Sequence, residues 1–137
     1  MIKYNELRIG NLVSDFEGNY LVVKALNKRS VVTNRGSVKK IGEVLNLESL
    51  KPIPIKEQLL LNLGIIIKDV YGFYSLGKNN TTGIDLTIDS KFKKIIIFDA
   101  VLDSVNIEMP KYLHELQNLF FCLIGEELIT LLPDKNP

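Results

Sequence analysis

Over the first fifty residues, apolar positions come in short runs broken by glycine and asparagine. Gly10-Asn11-Leu12-Val13 begins a strand, and Asp15-Phe16-Glu17-Gly18-Asn19 supplies a turn whose glycine and asparagine tolerate positive φ. Tyr20 to Ala25, rich in β-forming residues, makes the next strand. Asn27-Lys28-Arg29 turns the chain into Ser30-Val31-Val32-Thr33, and Asn34-Arg35-Gly36 turns it again. Val38 to Ile41 and Val44 to Leu50 complete the set. Strands at this close spacing predict a small SH3-like β-barrel or a bent meander, two forms that spacing does not separate.

The pattern changes at Lys51-Pro52-Ile53-Pro54. Two prolines at alternate positions remove backbone donors and hold the chain extended, which marks a boundary between residues 1–51 and 52–137. The two parts are expected to pack as one unit. Beyond the prolines, Ile55, Leu59, Leu60 and Leu63 recur at helical spacing, and Gly64 stands where a left-handed C-cap belongs. Ile65 to Val70 and Phe73 to Leu76 read as a hairpin about Tyr71-Gly72, and 77–83 reads as an exposed loop. Three further strands are expected at Ile84 to Ile88, Phe92 to Phe98 and Val101 to Ile107. The unbroken run Ile95-Ile96-Ile97-Phe98 predicts a strand covered on both faces.

Residues 111–124 carry the clearest helical period, with Pro110 suited to the first turn and Gly125 closing the end. Tyr112, Leu113, Leu116, Leu119, Phe120, Leu123 and Ile124 share an apolar arc. His114, Glu115, Gln117, Asn118, Phe121 and Cys122 lie opposite. The expected fold class is therefore α+β: a β-rich first part, then an antiparallel sheet with a short helix and one long amphipathic helix.

Composition narrows the function. The 137 residues include 17 Lys and Arg, 16 Asp and Glu, one Cys and one His. A net charge of +1 exerts no global pull on nucleic acid or anionic membrane. A single cysteine rules out an internal disulfide and a multi-cysteine zinc site, and it suits a reducing cytosol. The start of the chain is too polar for a signal peptide, and no apolar run reaches the length of a membrane span. The charge is divided, with 9 basic and 5 acidic residues over 1–55 against 8 and 11 over 56–137.

Little here suggests bond-making chemistry. His114 and Glu115, adjacent on a helix, point about 100° apart and cannot hold one ion together. Cys122 lies eight residues from His114, about 12 Å along the axis, too far for a Cys–His nucleophile. Asp85, Asp89, Asp99 and Asp103 are scattered over strands and turns, and the glycines form no phosphate loop. No cofactor, metal or catalytic residue is expected. His114, Gln117, Asn118 and Phe121, at i, i+3, i+4 and i+7, form one strip with two amides, an imidazole and an aromatic ring. Such a strip either contacts a protein or small ligand, or fastens a covering segment of the same chain. Lys28, Arg29, Arg35, Lys39 and Lys40 near the first turns could touch phosphates, though lysines also guard sheet edges. Lys91, Lys93 and Lys94 make a second basic group.

Three stretches resemble an uncharacterised family of small proteins from Bacteroidota and their phages and mobile elements. They are Arg8-Ile9-Gly10-Asn11-Leu12-Val13, the passage from Ile53-Pro54-Ile55 into Leu59 to Ile65, and residues 111–128. The last is similar to a signature reading roughly K-Y-V-H-Q-L-Q-N-L-Y-F-A-L-T-G-E-E-L, departing at Leu113, Glu115, Phe120, Cys122 and Ile124. The resemblance implies a setting, a bacterium or phage-infected cell, and no mechanism. Phage proteins of this size are often inhibitors, sponges or accessory factors, and together with the sparse chemistry this makes a cytoplasmic, non-enzymatic binding protein the expectation. A nucleic-acid or nucleotide-binding accessory is the alternative.

Overall fold

The computed structural model describes residues 2–27, 30–35, 43–99 and 104–128, with the backbone alone at 31, 34, 35 and 43. It is α+β, with two antiparallel sheets. The first sheet runs β1 (Leu12–Ser14), β2 (Tyr20–Leu26), β3 (Ser30–Arg35) and β4 (Glu43–Asn46), each strand beside its neighbour in sequence. Among the described residues no pairing of β1 with β4 closes it, so it is an open meander. The second sheet is likewise a meander: β5 (Ile67–Lys68), β6 (Tyr74–Lys78), β7 (Asp85–Ile88), β8 (Lys94–Phe98) and β9 (Val105–Glu108). Helix α1 (Glu57–Asn62) precedes it and helix α2 (Leu113–Ile124) follows it.

The period-2 pattern of β1 and β2 has apolar residues on both faces, and the structure uses both. Leu12, with Tyr20 and Val22, turns to the main core, which holds Leu60, Tyr74, Leu86, Ile88, Ile95, Leu113, Leu116 and Phe120. Val13, Leu21 and Val23 turn the other way, to a smaller core with Ile2, Leu7, Leu47 and Leu50. The register Leu12↔Val22 and Val13↔Leu21 keeps each set on its own face. The first sheet is thus buried on both sides where it meets α2, and the two parts share one interior.

The proline segment is structural. Lys51 pairs with Ser14, and Pro54 bridges Tyr112. The Ile55 N–H donates to the Lys111 carbonyl at 2.9 Å, and the Leu113 N–H donates to the Ile53 carbonyl at 2.8 Å. The second bond satisfies one of the orphan amides at the start of α2. Gly125 ends the helix at φ +83°, and Gly64 follows α1 at φ +70°, the left-handed conformation expected at both.

Four expectations change. The long helix begins at Leu113 with Tyr112 as its N-cap, so Pro110 precedes its first turn. The strand expected over 44–50 stops at Asn46 and gives way to a 3₁₀ turn, Leu47–Ser49. The strand expected from Ile65 shrinks to Ile67–Lys68, because Ile65 and Ile66 are drawn into the core. Strand β8 is not covered on both faces. Ile95 is fully buried and Ile97 packs on the core, but Ile96 is half-buried and Phe98 is 45% exposed. The helix covers one face of the sheet, and among the described residues no second layer covers the other. The expected strand over 38–41 lies outside the described residues.

Gly77 allows close packing of α2 on the sheet. Strand β6 bulges between Ser75 and Gly77, and a Cβ at 77 would lie 2.8 Å from a ring carbon of Phe120. Gly77→Ala should therefore destabilise the fold by about 1–3 kcal/mol through overpacking, read as a lower urea midpoint with an unchanged slope.

Candidate functional site

The edge of β1 determines where α2 sits. The Val23 N–H bonds the Asn11 carbonyl at 2.9 Å, and the antiparallel alternation then turns the N–H groups of Leu12 and Ser14 away from β2. Both need partners, since Leu12 is 1% exposed. Ser14 exchanges two bonds with Lys51, at 3.0 and 2.7 Å. For Leu12 the partner is a side chain. Gln117 Oε1 accepts the Leu12 N–H at 2.8 Å, and its Nε2 donates to the Gly10 carbonyl at 3.1 Å. One amide, itself fully buried, performs the pairing that a strand residue would.

The rest of the strip extends this seam. Asn118 Oδ1 accepts from Asn11 Nδ2 at 2.9 Å, and Asn118 Nδ2 donates to the Glu6 carbonyl at 3.0 Å. Phe121, 39% exposed, carries the Arg8 guanidinium 4.2 Å over its ring. Arg8 also grips Glu127 bidentately, at 2.6 and 3.0 Å. Gln117, Asn118 and Phe121 therefore face residues 6–12 of their own chain. The alternative of a covering segment describes their surroundings.

His114 sits differently. It is 2% exposed, its ring stacks on Tyr112 with centroids 6.0 Å apart, and its Nδ1 is buried without a hydrogen-bond partner. Burial holds its pKa below the ordinary 6.5, against the pull of Glu115 and Glu6 in the opposite direction. The imidazole is consequently neutral at pH 7. It lines a groove of about 860 Å³ between the end of β9, the start of α2 and the N-terminal segment. Ile2, Ile107, Met109 and Leu119 contribute apolar wall, while Glu6, Glu108 and Glu115 stand against Lys111, the one basic residue of the lining among the described residues.

Of the basic residues singled out in the sequence, Lys28, Arg29, Lys39 and Lys40 lie outside the described residues. Arg35 ends β3 opposite Leu21, with its backbone alone described. Lys91, Lys93 and Lys94 surround a tight turn built on Asp89, whose carboxylate accepts the N–H groups of Lys93 and Lys94 at 2.7 and 3.0 Å. Burial raises the Asp89 pKa, but those amides and the nearby ammonium groups of Lys94 and Lys91 outweigh it, and the net shift is downward. Cys122, on the arc opposite the apolar face, is exposed. No group of three or more metal-ligating side chains occurs among the described residues.

Sequence reasoning placed His114 on a recognition strip but missed the groove beside it. Glu6, Glu108 and Met109 come from separate segments, and no spacing along the chain relates them. No protein-family model, curated protein or solved structure matches the chain. The resemblance of residues 8–13, 53–65 and 111–128 rests on those residues alone.

Two outcomes check this geometry. Gln117→Leu strands the Leu12 N–H and the Gly10 carbonyl, each at about 1–3 kcal/mol, so urea unfolding should show a loss of about 2–6 kcal/mol. For His114, the unfolded chain takes up a proton near pH 6.5 while the folded chain resists it, so stability falls as pH drops below that value. Between pH 7.5 and 5.5 the wild type should lose more stability than His114→Phe, and equal losses would show that the ring is not desolvated.

Proposed function

We propose that this chain is a non-enzymatic binding protein whose binding face is the groove beside His114. One observation carries the reading: His114, buried and with its Nδ1 left without a partner, is among the residues that line an open groove of about 860 Å³. An unpaired buried polar atom is costly to folding and is uncommon without a purpose. A ligand group reaching it would replace the hydrogen bond that folding leaves out. The walls suit recognition, with apolar side chains for area and a few polar groups for orientation. The resemblance to proteins of Bacteroidota and their phages supplies a setting, in which an inhibitor, sponge or accessory factor would use such a face.

A photoreactive phenylalanine analogue placed at Met109 tests this. In extract from a Bacteroidota host or phage-infected cells, irradiation should give a discrete adduct. The same analogue at Thr81, exposed in the β6–β7 loop, should give none. No adduct at Met109, or the same adducts from both positions, would remove the groove as the binding face.

A further inference from the structure

We infer that the occupant of this groove is an extended basic segment of a partner protein, which adds as a strand to β9 and sets a lysine or arginine among Glu6, Glu108 and Glu115. The inference rests on the groove being the binding face and goes on to name what fills it.

The backbone carries the first part. The Met109 N–H donates to the Lys93 carbonyl at 3.0 Å, and the register pairs Ile95 with Ile107 and Ile97 with Val105. In an antiparallel ladder the intervening residues face the other way. Asn106 and Glu108 therefore turn N–H and C=O away from β8, and β9 is the edge of its sheet. No backbone bond engages these groups among the described residues. The contrast with β1 is direct, since its outward groups are paired by Gln117 and Lys51. Strand β9, Val-Asn-Ile-Glu, carries neither a lysine nor a proline, the residues that usually guard an edge. Val105 on it is 56% exposed. Two outward residues at i and i+2 are the docking pattern for an added strand.

Charge carries the second part. Where β9 ends, the added strand meets the groove, with three carboxylates and the neutral His114 on its walls. None of the three carboxylates is held in an ion pair among the described residues. Lys111 on the rim, and Lys94 opposite Glu108 in the register, leave the balance negative. The complement is a cation rich in N–H donors.

The test uses the full-length protein, fluorescently labelled, on an array of random octapeptides at low ionic strength. Bound peptides should be enriched in lysine and arginine at alternating positions. The best of them should slow hydrogen exchange at the amides of Asn106 and Glu108, and its affinity should fall with salt. Glu108→Lys should weaken it at least tenfold, and so should Asn106→Pro, which deletes an outward N–H at an edge position that tolerates proline. Glu108→Lys, on the surface, serves alone should Asn106→Pro fail to fold. Acidic or purely apolar binders, no binders, or a basic peptide indifferent to both variants would overturn the inference. So would self-association that Asn106→Pro dissolves, which would make a second copy the occupant. An adduct at Met109 together with a failed array would leave the groove as binding face and remove the basic strand.

Discussion

The outward backbone groups of β1 dominate this structure. A three-residue strand at the edge of a sheet, buried on both faces, leaves amides that neither water nor a neighbouring strand can satisfy. Gln117 and Lys51 meet that demand from two distant places in the chain, one through a side chain and one through the backbone. Because the Gln117 amide must meet both Leu12 and Gly10, the rotation and height of α2 are set to within hydrogen-bond tolerance. Packing of Leu113, Leu116 and Phe120 on the second sheet then follows on the helix's other side.

Helix α2 consequently has two buried faces of different chemistry. The apolar face binds through area and accepts small slides. The polar face binds through directed bonds and does not. The seam runs from Glu127 on Arg8, through Asn118 and Gln117, toward the start of the helix. It stops before His114, because the N-terminal segment has by then turned into its 3₁₀ turn at Tyr4–Glu6. The Nδ1 of His114 is left enclosed and without a hydrogen-bond partner there, and the groove lies between the N-terminal segment, the end of β9 and the start of the helix.

The same economy of partners separates the edge at β1 from the edge at β9. At β1 the chain supplies its own closure. At β9 Pro110 and the turn into α2 carry the backbone away from the sheet before any segment among the described residues can run alongside. An interior edge that demands satisfaction and an exterior edge that water can satisfy thus coexist within one chain, and of these two it is β9 whose outward groups have no backbone partner among the described residues.

Much of this was legible in the sequence. Glycine and asparagine turns marked the hairpins, Gly64 and Gly125 marked helix ends, and the arc Leu113, Leu116, Phe120, Ile124 marked the core face, because these depend on local conformational preference and period. The polar strip was legible as a strip, but its target was not. Whether Gln117 meets a ligand or Leu12 depends on a contact across 105 residues. The groove was illegible for the same reason, since Glu6, Glu108 and His114 stand on separate segments that only the folded chain brings to one groove. Local chemistry determined the elements and their faces. Tertiary structure decided which face is consumed internally, because a buried amide takes whichever partner the packing brings within reach.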